Sequence, residues 1–276
     1  MYLMENLLDE VKYRWAKTHY LISPAGKESG RRIVLVNGGP RTGTTWTVGM
    51  IASVPGYRQV GNFKHNIEQY QSVLPGDVIH GHNHYSKHLE TILYSLDIRV
   101  VLPLRDPRDQ TVSRLFHTRR NTEHSWRIHL QKLSDDDGLM ACIEGLDPKT
   151  FPGAASLASI PRSWLANYPK TNPIKYEDLI SNPESSMASL FRRLEMTVPQ
   201  GLLLAIINIK SFQHMTVGKK IWQKGRAPGS EDRNAHIRKG IVGDWKNYFK
   251  PHHIERFKEL AGNVLIEFGY EKDLYW

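Results

Sequence analysis

The sequence is nearly empty of cysteine: Cys142 stands alone among 276 residues. No intrachain disulfide can form, so nothing in the chain calls for an oxidising compartment. Long hydrophobic runs are missing as well. The longest aliphatic stretch, 201–209, falls far below the ~20 residues that span a bilayer. The opening segment, MYLMENLLDE, is too acidic and too short of apolar core for a signal peptide. The expectation is a cytoplasmic protein with no membrane span. Low-complexity tracts and solenoid-period repeats are absent, which excludes a repeat array. Acidic residues are in deficit: 28 Asp and Glu against 37 Lys and Arg leave a formal charge of +9. That surplus favours anionic partners, whether a phosphorylated small molecule, nucleic acid or a membrane surface, and does not choose among them.

What is present is an alternation of short β-branched runs and helical patterns. Residues 33–37 (IVLVN) end in Gly38-Gly39-Pro40, after which Trp46, Gly49, Met50 and Val54 follow at helical spacing. Residues 98–104 (IRVVLPL) predict a second buried strand. Asp106, Pro107 and Asp109 then supply a cap, a first helical residue and a first-turn acid for a helix to about Arg120. A third strand is expected at 173–176, leading to a capped helix start at Asn182-Pro183 that places Met187, Leu190, Phe191 and Leu194 on one face. A last helix carries Ile254, Phe257, Leu260, Ala261, Val264 and Leu265. The pattern predicts one α/β domain over 1–276, a mainly parallel sheet flanked by helices on both faces. Residues 121–160 read as a polar surface covering, and 218–237 as a basic, mobile loop of the kind that forms lids.

The turn at 38–45 sits between strand and helix, where backbone amides and a helix N-terminus can wrap phosphate. Against the nucleotide template G-x-x-x-x-G-K-[ST] it matches at Gly38, Gly43 and Thr45 and fails at the lysine, which is Thr44. A cation, Arg41, stands inside the loop instead. On these residues alone a ligand-free glycine turn remains open.

Three segments narrow the choice. Pro40-Arg41-Thr42-Gly43-Thr44-Thr45-Trp46 resembles the 5′-phosphosulfate loop of the cytosolic sulfotransferase family. Arg105-Asp106-Pro107-Arg108-Asp109 with Ser113 resembles its 3′-phosphate motif. Residues 238–249, RKGIVGDWKNYF, resemble its C-terminal signature R-K-G-x-x-G-D-W-K-N-x-F. The segments occur in the family's order, and the twelve-residue match is the most specific of them.

The resemblance implies a phosphate-loop-like sulfotransferase fold and a donor, 3′-phosphoadenosine-5′-phosphosulfate (PAPS), with adenosine 3′,5′-bisphosphate (PAP) as product. Arg41 and the amides of Thr42, Gly43, Thr44 and Thr45 would hold the 5′ end, with Arg41 also meeting charge on the leaving oxygen. Arg105 and Ser113, closed over by Arg238, Lys239 and Gly240, would take the 3′-phosphate. Trp46 and Phe212 would clamp adenine, with Tyr176, Ser211 and Met215 beside it. Within His80-Gly81-His82-Asn83-His84, His82 takes the family's catalytic position as proton acceptor. Arg41 and His80 stand where the family usually has lysine, and Lys210 where it usually has threonine. No metal is expected: the three histidines alternate as on a strand, with no cysteine near. The acceptor, small-molecule or carrier-bound, is left open. So is the oligomeric state, since the family's dimer motif is not evident after Phe249. A metal-dependent kinase would lack its lysine at Thr44. A nucleic-acid binder would need a continuous basic stripe, whereas the cations here cluster in separate phosphate motifs. A nucleotide binder without catalysis is the third alternative.

Overall fold

The structure, a computed structural model, describes residues 2–28, 30–63, 67–217 and 224–276. Five strands form its centre: β1 (Ile33–Asn37), β2 (Arg58–Asn62), β3 (Asp77–Gly81), β4 (Ile98–Leu104) and β7 (Thr171–Lys175). They lie in the order β2-β3-β1-β4-β7, every neighbouring pair parallel, with Leu35 level with Ile79 on one side and Val100 on the other. A small antiparallel ribbon, β5 (Gly145–Asp147) with β6 (Phe151–Pro152), stands apart.

The strand period of two sorts side chains cleanly between the sheet's faces. Val34 and Val36 join Val78 and Val101 on one face, where Val48, Met50, Ile51, Leu190 and Leu203 cover them. Ile33, Leu35, Ile79, Val100 and Leu102 face the other way, onto Leu89, Leu93 and Trp164. Because both faces are covered, β1 is apolar from Ile33 to Val36 and β4 from Val100 to Leu104. Each such buried aliphatic side chain contributes about 1.5–3 kcal/mol relative to exposure.

The strands at 33–37 and 98–104 and the helix Pro107–Arg120 form as expected, with the Asp106 carboxylate accepting the Arg108 amide at 2.8 Å. Two details differ. The third expected strand stops at Lys175, and Tyr176 opens a helix, Tyr176–Ser181, in place of ending the strand. Asn182 precedes the helix Pro183–Arg193 but makes no side-chain cap. The larger correction concerns 121–160. It carries helices Arg127–Lys132 and Asp135–Glu144, and it buries Leu130, Leu139, Cys142 and Phe151 against Val112, Leu115, Phe257 and Leu265. It is part of the core. Of the expected basic loop, 218–223 lie outside the described residues, and 224–237 form turns without helix or strand. Among the described residues, no helix is long and apolar enough to cross a membrane.

Cys142 is fully buried, and burial pushes its thiol up to about 12. A thiolate is the reactive form. The native protein should therefore be silent to a thiol-reactive dye and titrate one group only in denaturant; fast labelling of the folded chain would contradict this packing.

Candidate functional site

In a parallel sheet all strands deliver their following loops to one edge. The loops after β1, β3, β4 and β7 bring Arg41, His82, Arg105 and Tyr176 to a cavity of about 450 Å³. Segments 212–215 and 236–241 complete its wall.

The loop after β1 is packed against itself. A Cβ on Gly38 would lie 2.4 Å from Thr44 Oγ1, and one on Gly43, which has φ +88°, would lie 2.9 Å from the Tyr176 ring. Arg41 has φ 65°, left-handed backbone that an L side chain adopts only at a cost. Its Nε donates to Ser113 Oγ at 3.0 Å and its Nη1 to His117 Nδ1 at 3.3 Å. Arg105 Nη1 donates to the Arg41 carbonyl at 3.2 Å. Burial first, then the nearby Arg105, Arg120 and Arg238, lower the Arg41 guanidinium to about 10, so it remains charged at neutral pH.

Arg105 lies over the face of Tyr176, 4.3 Å from the ring centroid. Its nearest carboxylate is Asp109 at 3.9 Å, and among the described residues its buried Nε has no hydrogen-bond partner. That is a cationic donor without an acceptor, a costly state unless an anion arrives. Asp109 is engaged elsewhere, accepting the amides of Gly243 at 2.8 Å and Trp245 at 2.9 Å. It thereby fixes the C-terminal signature against the helix that follows β4. Arg108 serves packing: it is buried between Trp245 and Trp276 and paired with Asp106 and Glu271.

Arg238 and Lys239 line the cavity and are both ion-paired to Asp244, Arg238 also to Glu231. Gly240 has φ +66°, and a Cβ there would fall 2.0 Å from the Phe212 ring. Only glycine lets this backbone lie on that aromatic face. Trp46 Nε1 donates to the Lys210 carbonyl at 2.8 Å, and its ring meets Tyr176 edge-on at 5.8 Å. Lys210 thus offers its backbone where a side chain was in question. Met215 lines the cavity; Thr42 and Ser211 do not. Thr42 Oγ1 donates to the Gly39 carbonyl at 2.9 Å, and Ser211 Oγ caps the helix Phe212–Thr216 by accepting the His214 amide at 3.2 Å.

His80 and His82 both line the cavity, their rings edge-on at 4.8 Å. His82 Nδ1 is 2.6 Å from the Gly38 carbonyl. A carbonyl only accepts, so Nδ1 carries the hydrogen and Nε2 of the neutral ring carries the lone pair. His84 and His88 stay outside the wall.

Sequence reasoning passed over two wall residues, His117 and His236. His117 lies one helical turn beyond Ser113, a spacing that places both on one face and could have flagged it. Burial first, then Arg41, Arg120, His236 and His124, hold His117 down at about 3. Its folded value lies below the ordinary 6.5, so on acidification the unfolded chain takes up this proton first. Stability tied to His117 is complete above 6.5 and is lost as pH falls toward 3. Urea midpoints at pH 7.5 and 5.5 should drop for the native chain and drop less for His117→Asn; equal drops would contradict the assignment.

A separate grouping, Asp136 with His252 and His253, brings possible metal-ligand atoms together. Lys250 Nζ already pairs with Asp136 at 2.9 Å. His253 Nδ1 accepts the Lys250 amide at 3.1 Å, and its Nε2 contacts the Asp136 carbonyl at 3.0 Å. These contacts tie two helix starts together and use both nitrogens of the buried ring.

A strand, a glycine loop with an internal cation and a helix, faced by a second arginine loop and by aromatic side chains, set one cationic cavity at the edge of a parallel α/β sheet. Residues 31–269 match the family model described as Sulfotransferase domain, and the chain belongs to that family. It is 33% identical to Sulfotransferase 1B1 of Canis lupus familiaris over 98 residues, 33% of each chain. It is 31% identical to Sulfotransferase 1B1 of Mus musculus over 97 residues, 33% of this chain and 32% of that one. The matched stretches thus span about a third of the length of these curated relatives. Among solved structures, a mouse sulfotransferase complexed with PAP aligns with a TM-score of 0.63 at 20% identity, covering 91% of both chains. Retinol dehydratase in a complex with retinol and PAP aligns at 0.57 and 15% identity, covering 92% of this chain and 85% of that one. Both alignments support the fold.

Proposed function

We propose that the protein transfers the sulfonate of PAPS to the hydroxyl or amine of an acceptor, small-molecule or carrier-bound, and releases PAP. One observation carries the reading: a single cavity gathers Arg41, His82, Arg105 and the 238–240 segment from four distant stretches of chain. The residues suit the donor. The unsatisfied Arg105 Nε fits a phosphate, and the aromatic wall of Trp46, Tyr176 and Phe212 suits an adenine ring. Arg105, Ser113 and the 238–240 segment would hold the 3′-phosphate, and Trp46, Tyr176, Phe212 and Met215 the base. Thr42 and Ser211 act from behind the wall, Thr42 by bracing the loop and Ser211 by capping the Phe212 helix.

PAPS supplies a sulfonate bridged by oxygen to its 5′-phosphate. The acceptor oxygen bonds to sulfur as that bridge breaks, and the bridging electron pair stays with PAP. His82 Nε2 takes the acceptor proton, its orientation set by the Nδ1–H bond to Gly38. Arg41 and the amides of Gly43–Thr45 meet the charge that grows on the leaving oxygen. Side chains and amides supply all the positive charge this scheme uses, so it calls for no divalent metal.

Isothermal titration in EDTA with PAP, ATP and 5′-AMP tests the donor site. Micromolar or tighter binding of PAP, with ATP and 5′-AMP much weaker, is the expected result. Absence of that preference would remove the donor assignment and return the kinase and nucleic-acid alternatives.

A further inference from the structure

The cavity wall contains no Asp or Glu among its described residues. Its cations differ in how they are balanced. Arg238 and Lys239 have Asp244, and Arg105 has Asp109. Arg41 has no carboxylate within ion-pair distance among the described residues, and neither has Arg120, which stands behind the wall residues His117 and His236. Arg41 is spoken for by the transferring end of the donor. Arg120 is not.

Arg120 Nη2 stands 3.3 Å from the Nδ1 of both His117 and His236. A guanidinium only donates, so both Nδ1 atoms accept, and each neutral imidazole keeps its hydrogen on Nε2. Two rings, edge-on at 6.3 Å, therefore border the cavity with N–H donors, backed by an uncompensated cation. Because His117 also touches Arg41, this cluster belongs to the reacting end and not to the aromatic wall. Arg120 lines a recess of about 260 Å³ with Arg119 and Arg233, whose charges Asp135 and Glu231 already meet, so Arg120 is the cation there without a carboxylate partner among the described residues. The Arg120 guanidinium and the two Nε2–H groups can only donate. A neutral acceptor would leave its donors unanswered, whereas an oxyanion beside the reacting hydroxyl would answer them.

We propose that the acceptor carries an oxyanionic group, a carboxylate, phosphate or sulfate, held by Arg120 together with the Nε2–H donors of His117 and His236. This inference rests on the sulfonate-transfer reading, in that it takes the cluster to face the acceptor.

The test is titration of the protein·PAP complex with 4-hydroxybenzoate and with its neutral analogue 4-hydroxybenzamide, followed by initial rates with PAPS. The carboxylate should bind about tenfold tighter than the amide, the worth of one charge-assisted hydrogen bond. That preference should shrink as salt rises. Arg120→Gln should bring the two affinities together, and Arg120→Lys should restore part of the difference. PAP affinity, measured on each variant, should be unchanged and also reports folding. Equal affinities in the native protein, no measurable binding of the carboxylate, or loss of PAP binding in Arg120→Gln would each overturn the proposal. The last outcome would place Arg120 in the donor site. Failure of the donor reading itself shows separately, as absent PAP binding by the unaltered protein.

Discussion

His82→Ala is expected to lower kcat by about a hundred- to ten-thousandfold, the worth of a positioned general base, while PAP binds as before. The ring's Nδ1–H is committed to Gly38, which fixes Nε2 as the basic atom. The same bond also ties the loop after β3 to the phosphate loop, so alanine removes both a base and a tether. His82→Asn separates them: its side-chain N–H can replace the tether, but no basic nitrogen remains. If the base matters, asparagine should be as slow as alanine in single-turnover measurements with PAPS and 4-hydroxybenzoate. Recovery of turnover in the asparagine variant would assign His82 a positioning role, and near-normal turnover in the alanine variant would remove it from the mechanism.

Arg41→Met should cost about a hundred- to a thousandfold in kcat, the usual effect of removing a preorganised charge from a developing oxyanion. The backbone makes this position informative. Arg41 holds φ 65°, so Arg41→Gly relieves local strain of about 1 kcal/mol or more while also removing the cation. The glycine variant should therefore be no less stable than the methionine variant, and equally slow. Arg41→Lys keeps a charge but loses the planar fork that reaches Ser113 and His117 together, so partial recovery is expected. Full activity in Arg41→Met would show that the amides of the loop suffice.

The segments that wall the cavity were legible in the sequence because each is contiguous. The phosphate loop, the cap at Asp106 and the 238–249 signature each place their residues through local backbone geometry. What escaped was made by tertiary contact. β2 is a polar edge strand (RQVGN) with no apolar alternation, so pattern reading finds nothing there. β3 (DVIHG) is buried but only five residues long. Segment 121–160 looked like surface because its apolar residues are spread over short helices that meet only in the fold. His117 and His236 lie 119 positions apart and become a pair through Arg120. Thr42 and Ser211 show the converse: motif positions whose hydroxyls are spent on the backbone.

The Asp109 carboxylate joins amides 134 and 136 positions away in the chain. Closing a loop of that length costs entropy that is recovered only when both ends are already in place, so contacts of this kind form late in folding. The apolar parallel strands can assemble before the 238–245 turn docks. In a refolding experiment, sheet signal should therefore return before PAP affinity does, and Asp109→Ala should widen that lag. Nucleotide capture would then serve as a clock for the final step of assembly.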